Sequence, residues 1–219
     1  GKLLIVEGGE TVGDGPPELA RHAPGLICGA RNRTIELEGR TVFAEVYGPP
    51  PRLFVYGAVD TGEALAAAAK LLGWTTLVAD ARPTFATRER MASADELIVA
   101  WPEEAFAQIA PDHATAIVVL THDDKFDLPA LELALATDAF YIGVIGGRRN
   151  QEKKRVRLRE AGVPEDALER ISGPCGLDIG AESVPETALS ILAEIVATRT
   201  GRAGGALAQS TQRIHVEAS

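Results

Sequence analysis

The segment RLFVYGAVDTG, residues 52–62, decides the fold of this chain. Its apolar run Leu53–Tyr56 predicts a buried strand, and Gly57–Gly62 predicts a tight turn into a helix. This turn matches the G-x-G-x-x-G pattern of dinucleotide-binding domains, except that Val59 stands where the middle glycine belongs. A β-branched side chain there narrows the approach of a pyrophosphate and resists positive φ, so the prediction of NAD(P) binding is weakened.

Strand and helix signals alternate after this segment. Such alternation predicts an α/β domain, a Rossmann-like doubly wound parallel sheet with helices on both faces. Ser183 and Glu186 have the spacing of a capping box at the start of the last helix. The predicted strands are Leu53–Tyr56, Thr76–Ala79, Leu97–Ala100, Ala116–Leu120 and Phe140–Ile145, and the predicted helices are Gly62–Leu72, Glu103–Ile109, Pro129–Ala136, Arg149–Ala161 and Val184–Arg199.

Residues 1–51 predict a small, partial β-rich N-terminal domain. A strand is expected at Leu3–Val6, and a hairpin is expected from Thr34–Leu37 and Thr41–Val46 around Glu38-Gly39. The proline run 49–51 interrupts ladder hydrogen bonding and marks a boundary. We therefore predict a Rossmann-like domain over 52–200 and a flexible Gly- and Ala-rich tail over 201–219.

Composition excludes several functional classes. The 219 residues carry a formal net charge of −9, which repels a phosphate backbone, so nucleic acid is not an expected partner. The longest apolar stretch, Ala64–Leu72, is interrupted by Lys70 and is too short to span a bilayer. With only Cys28 and Cys175, far apart and with no recognisable secretory leader, we expect no disulfide framework and a cytoplasmic location.

Polar residues follow the second and fourth predicted strands of the main domain. Asp80 is placed to bind ribose hydroxyls and Arg82 to bind a phosphate, although the two could instead pair only with each other. Thr121 and the ionisable residues His122, Asp123 and Lys125 lie where open α/β sheets bind ligands, and these three are the candidate catalytic groups. Asp127, just before Leu128-Pro129, is interpreted as the N-cap of the next helix.

Two further loops are candidate ligand contacts. Gly146-Gly147-Arg148-Arg149 opens a helix and combines free backbone N–H groups with two guanidinium groups, which predicts an anion site. The basic residues that follow are interpreted as a solvated helix face; they are Lys153, Lys154, Arg155, Arg157 and Arg159.

The second loop is Gly176-Leu177-Asp178-Ile179-Gly180-Ala181, which is bracketed by glycines and lies just before the last helix. Gly176, Asp178 and Gly180 are therefore added to the candidate cofactor-binding residues. Cys175, directly ahead of this loop, is expected to be a buried, inert thiol. No metal-ligand set is predicted.

Together these motifs resemble the Rossmann domain of the XdhC/CoxI family, over about Arg52–Arg199. The resemblance rests on Gly57–Gly62, Asp80-Ala81-Arg82-Pro83, Thr121-His122-Asp123, Gly146–Arg149 and Gly176–Ala181. It implies an accessory protein that holds the molybdenum cofactor (molybdopterin) and helps insert it into a molybdenum hydroxylase of the xanthine dehydrogenase or CO dehydrogenase type. The chain departs from the family at Val59, and at Gly147, where serine is common.

The resemblance implies a maturation factor rather than an enzyme. The expected partner is the apo-form of the hydroxylase, and a cofactor sulfurtransferase and a second copy of the chain are further candidates. Two alternatives stay open: an NAD(P)-dependent oxidoreductase with Asp80 on the ribose and His122 as proton donor, and a nucleotide- or redox-sensing module without turnover.

Overall fold

The structure is a computed structural model that describes residues 1–6, 9–23, 32–37, 39–48 and 50–211. The chain divides into two compact units, one formed by 1–49 with 205–219 and the other by 50–204. The predicted domain boundaries and flexible tail stay predictions. Cys28, Glu38, Pro49 and residues 212–219 lie outside the described residues.

The first unit contains two antiparallel pairs of strands. β1 (Leu3–Ile5) pairs with β2 (Thr11–Gly13), a partner that the sequence did not reveal. β3 (Arg33–Leu37) pairs with β4 (Arg40–Ala44), which confirms the predicted hairpin. A 3₁₀ segment covers Pro17–His22, and another covers Leu207–Gln209.

The second unit is built on six parallel strands. In the sheet they lie in the order β10-β9-β8-β5-β6-β7, which is the 3-2-1-4-5-6 order of the Rossmann fold when the strands are counted within this unit. The predicted doubly wound sheet is therefore confirmed. The strands are β5 (Arg52–Tyr56), β6 (Thr75–Asp80), β7 (Glu96–Val99), β8 (Thr115–Val119), β9 (Tyr141–Val144) and β10 (Ile171–Ser172).

Helices cover both faces of this sheet. The helices are α1 (Asp60–Leu71), α2 (Pro102–Ile109), α3 (Asp124–Leu135), α4 (Arg148–Glu160), α5 (Glu165–Leu168) and α6 (Val184–Thr200). One buried core joins the sheet to α2, α3 and α4 through Phe106, Leu131 and Leu158. A second core joins the opposite face to α1 and α6 through Leu65 and Ile191.

The structure corrects three local predictions. α3 begins at Asp124 rather than Pro129, because Asp123 caps the helix and Pro129 lies inside it, where its missing amide removes one helical hydrogen bond. The short elements α5 and β10 were missed, since neither is long enough to show a period. The apolar pattern of the last helix predicts that Leu189 packs on the sheet with Ala188 and Ile191, but Leu189 is 58% exposed.

Candidate functional site

The carboxyl ends of the strands bring the predicted site residues to one edge of the sheet. β5 and β8 are neighbours and parallel, and the chain order reverses between them, so the crevice of the fold opens at this point. Gly57 follows β5, Thr121 follows β8, Asp80 ends β6 and Gly146 follows β9. The prediction that these four residues share one edge is confirmed by the parallel register.

The loop after β5 needs glycine at two positions. Gly57 has φ of +126°, and a Cβ there would lie 3.0 Å from the carbonyl carbon of Leu120 and the amide nitrogen of Thr121. A Cβ at Gly62 would lie 2.8 Å from the Gly57 carbonyl oxygen. Val59, by contrast, has φ of −102° and is the N-cap of α1, so the valine is unstrained in this loop.

Asp80 and Arg82 form the pair that the sequence left as an alternative to ligand binding. Arg82 Nη2 lies 2.7 Å from Asp80 Oδ2, and Arg82 Nε donates to Asp80 Oδ1 at 2.9 Å. The Ala58 amide also donates to Asp80, which is fully buried. The hydrogen bonds that Arg82 donates to Asp80 raise the pKa of Arg82. Asp80 therefore stabilises the glycine loop and leaves little of its carboxylate for a ribose.

The segment after β8 turns sharply into α3. His122 has a left-handed backbone with φ of +59°, and its side chain is exposed at the edge of the sheet. Asp123 is the N-cap of α3 and accepts a hydrogen bond from the Lys125 amide at 3.0 Å. The Lys125 side chain is exposed. His122, Asp123 and Lys125 thus lie next to one another at this edge of the sheet, and their part in binding or catalysis stays a prediction.

Asp127 is not the N-cap, which corrects the sequence interpretation. It lies in the first turn of α3 because the helix starts earlier, and its carboxylate is fully buried. Its Oδ1 accepts a hydrogen bond from the buried hydroxyl of Thr121. Its Oδ2 lies 2.9 Å from Lys154 Nζ on α4. Asp127 therefore links the loop after β8 to a second helix.

Lys154 is a member of this network, although its basic neighbours predicted a solvated position. Its side chain is only 8% exposed, and its Nζ also lies 3.0 Å from Asp124 Oδ1. Burial alone would lower the pKa of Lys154, but the two carboxylates outweigh it and the pKa is raised. Gln151, Lys154 and Leu158 form a buried stripe on α4 with a spacing that could have revealed this orientation. Lys153, Arg157 and Arg159 are exposed, as expected of a solvated face.

The N-terminus of α4 is the least obstructed position for an anion at this edge of the sheet. Gly147 is the N-cap, no side chain caps this end, and the first turn contains no acidic residue. A Cβ at Gly147 would meet nothing within 4 Å. Arg148 and Arg149 are both exposed beside it. The helix dipole, free backbone N–H groups and guanidinium groups therefore favour an anion here.

The Gly176 loop is fixed at one end and exposed at the other. The Gly176 amide donates to Glu194 Oε2 at 2.6 Å, and a Cβ at Gly176 would lie 2.4 Å from Ser190 Oγ, so only glycine fits. Asp178 and Gly180 are exposed. Burial of the thiol is the main cause that raises the pKa of Cys175 to about 12, and the negative charge of Glu194 is the second cause. A pKa this high is expected of an inert thiol.

The described residues contain neither a metal-ligand cluster nor a membrane-spanning helix. Within the described ranges, no three His, Cys, Asp or Glu side chains are grouped so that they could hold a metal ion. None of the helices in that part of the chain has the length and apolar character required to cross a bilayer.

Comparison with known proteins identifies the family. Residues 53–195 match the family described as XdhC Rossmann domain. Relatives include a probable xanthine dehydrogenase subunit of Bacillus subtilis, 34% identical over 158 residues, and the molybdenum cofactor insertion chaperone PaoD of Escherichia coli, 29% identical over 153 residues. The matches cover 72% and 70% of this chain but only 46% and 42% of those relatives, so the chain spans less than half of their length.

A solved structure supports the same fold. A xanthine dehydrogenase structure from Bacillus halodurans superposes with a TM-score of 0.61 at 20% identity, covering 89% of this chain and 67% of that one. At this identity the likeness concerns the fold alone. The family match, which spans most of the chain, carries the assignment: this chain belongs to the XdhC family and contains its Rossmann domain.

Proposed function

We propose that the chain holds the molybdenum cofactor and delivers it to the apo-form of a molybdenum hydroxylase. The observation that carries the proposal is the open N-terminus of α4, where Gly147, Arg148 and Arg149 offer backbone N–H groups and two exposed guanidinium groups to an anion. The relative PaoD, named as a molybdenum cofactor insertion chaperone, supports the choice of ligand.

The charges around the two candidate loops favour α4 over α1 as the phosphate site. The first turn of α1 contains Asp60 and Glu63, and the fully buried Asp80 lies against the same loop. Arg90 and Arg82 pair with two of these carboxylates, but the acidic residues still make the Gly57 end less favourable for a phosphate than an end without them. The first turn of α4 has none, and a phosphate-bearing cofactor therefore fits the Gly147 end.

The chain's own residues bind and orient in this proposal. Arg148 and Arg149 hold the phosphate, while His122, Asp123 and Lys125 flank the ring system from the loop after β8. When bound, the cofactor supplies the redox chemistry that the recipient hydroxylase uses. No turnover by this chain is needed, because cofactor binding and release are sufficient for a maturation factor. We propose a cytoplasmic location as well, consistent with the free thiol of Cys175.

An NAD(P)-dependent oxidoreductase is the second candidate, because the sheet has the strand order of dinucleotide-binding domains. Two contacts count against it. The Asp80 carboxylate is engaged by Arg82 and the Ala58 amide, and the acidic first turn of α1 faces the position of a pyrophosphate. We therefore rank cofactor delivery above hydride transfer.

The test is cofactor retention by protein purified without oxygen. Molybdenum is measured by elemental analysis, and the pterin is measured by fluorescence after oxidation. Changing Arg148 and Arg149 to Ala is expected to weaken retention by about a hundredfold or more, since each charge-assisted pair is worth roughly 1.5–3 kcal/mol. The matched control, Lys153→Ala with Arg159→Ala, removes the same charge from the same helix away from its N-terminus.

Two results would contradict the proposal. One is wild-type protein that never retains molybdenum or pterin, even when co-expressed with its hydroxylase. The other is an Arg148/Arg149 variant that retains the cofactor as wild type does. In contrast, equal loss in the variant and in the control would point to a non-specific effect of net charge.

A further inference from the structure

An exposed tryptophan lies at the ligand-binding edge of the sheet. Trp101 follows β7 and is the N-cap residue of α2, where Pro102 occupies the first helical position. Its side chain is 44% exposed, although its ring centroid lies 5.2 Å from that of the buried Phe126. The indole is thus held by α3 on one side and still presents a large apolar surface to solvent.

Two cations from neighbouring loops lie on this aromatic surface. Lys125 Nζ lies 4.7 Å from the centroid of the Trp101 ring and 5.5 Å from that of Phe126. The guanidinium carbon of Arg82 lies 5.6 Å from the Phe126 ring. No ion pair among the described residues includes Lys125, so its ammonium can move from the indole to a ligand at low cost. We call Arg82, Trp101, Lys125 and Phe126 the Trp101 cluster.

We infer that the Trp101 cluster is a stacking subsite for a planar heteroaromatic ring of the bound ligand. The inference rests on the proposed function and deepens it. An indole accepts the face of a nucleobase or a pterin, which displaces the Lys125 ammonium from the indole. Lys125 and Arg82 then contact the carbonyl oxygens or phosphates attached to that ring.

The sheet order indicates which ring reaches this subsite. β9, which precedes Gly147, and β7, which precedes Trp101, are four strand spacings apart, about 19 Å. A ligand with a phosphate at Gly147 and a ring at Trp101 therefore lies across the crevice, as dinucleotides do. The expected ring is accordingly a nucleobase that extends the cofactor, and a pterin is the alternative source of the same chemistry.

Tryptophan fluorescence can test the subsite directly. The chain has two tryptophans, and Trp74 is 5% exposed in the core, so Trp74→Phe leaves Trp101 as the sole reporter. We would titrate this variant with cytidine diphosphate, adenosine diphosphate and pterin-6-carboxylate. Saturable quenching by a nucleotide is expected, and stronger quenching by the pterin would assign the same subsite to the pterin ring.

Substitutions separate stacking from incidental quenching. In calorimetry, Trp101→Ala is expected to weaken binding of the quenching ligand by about 5- to 150-fold, the range measured for base–aromatic stacking. Trp101→Phe should retain most of the affinity and Lys125→Met should lose part of it. Leu189→Ala, an exposed apolar change on α6, is the control. Melting temperatures verify that each variant is folded.

The inference is wrong if none of the three probes quenches Trp101, or if Trp101→Ala binds them as tightly as wild type. Its failure is distinguishable from failure of the proposed function. Cofactor retention that depends on Arg148 and Arg149, without any ring binding at Trp101, would support cofactor delivery and reject the stacking subsite. Ring binding at Trp101 in a protein that never retains molybdenum would support the subsite and reject cofactor delivery.

Discussion

The ion pair between Lys154 and Asp127 makes the most quantitative prediction. Lys154→Met removes the positive charge opposite the Asp127 carboxylate, which is 0% exposed. Among the contacts described, this carboxylate then keeps only its hydrogen bond from the Thr121 hydroxyl. Breaking a buried pair in this way destabilises a protein by about 3–5 kcal/mol. Lys154→Met should therefore lower the free energy of unfolding by about that amount at pH 7.

Urea denaturation of Lys154→Met and of the wild type at pH 7 measures this loss. Lys153→Met, an exposed neighbour on the same helix, is the control and should change stability by less than about 0.5 kcal/mol.

A second variant, at Asp127, completes a double-mutant cycle. Asp127→Asn keeps an acceptor for Thr121 and removes the unpaired charge, so Lys154→Met combined with Asp127→Asn should be more stable than Lys154→Met alone. A double variant as unstable as the sum of the single variants predicts, or a Lys154→Met variant as stable as the wild type at pH 7, would refute the reasoning. The raised pKa of Lys154 also predicts a loss of stability at alkaline pH. The contribution of Lys154 to the free energy of unfolding is complete below its unfolded-state pKa, about 10.4. This contribution disappears as pH rises through the higher pKa of Lys154 in the folded state.

Three further predictions concern the loops of the site. Gly57→Ala should destabilise the fold by about 2 kcal/mol or more in urea denaturation, because it combines positive φ with a steric clash, whereas Gly147→Ala should be nearly neutral; equal effects would contradict the loop geometry. In a Cys28→Ser background, Cys175 should react with a thiol reagent at pH 8 only after unfolding, and rapid labelling of the native protein would show the thiol to be accessible. Calorimetry should show weak or no binding of free NAD and NADP, and Val59→Gly should tighten it; submicromolar binding by the wild type would show that the valine matters little.

The sequence was sufficient to predict a parallel sheet and the edge at which its strands end. Apolar runs that end in Gly57, Asp80, Thr121 and Gly146 predicted parallel strands, and parallel strands necessarily end at one edge. The positions that require glycine could also be predicted, since the need for positive φ or for a missing Cβ is a local property of the chain. The capping box of Ser183 and Glu186 is local in the same sense and is confirmed.

Contacts between helices could not be predicted in this way. Asp127 looked like a cap because a leucine and a proline follow it, and Lys154 looked solvated because its neighbours are basic. Their pairing depends on the packing of α4 against α3, which is a tertiary contact over 27 residues of sequence separation. Trp101 was overlooked for a related reason, since its neighbours Lys125 and Phe126 come from a different element, α3.

The Lys154–Asp127 pair and the Trp101 cluster together suggest why α3 matters to ligand binding. α3 contributes Lys125 to the crevice from its first turn, and the same turn is anchored to α4 by Asp127. α4 in turn carries Arg148 and Arg149 at its N-terminus. The phosphate end and the ring end of the proposed site are therefore attached to two helices that a buried ion pair holds in register. It follows that the Lys154→Met variant, even where it stays folded, should weaken both retention of the cofactor and quenching of Trp101, whereas loss of Arg148 and Arg149 should affect only ligands that contain a phosphate.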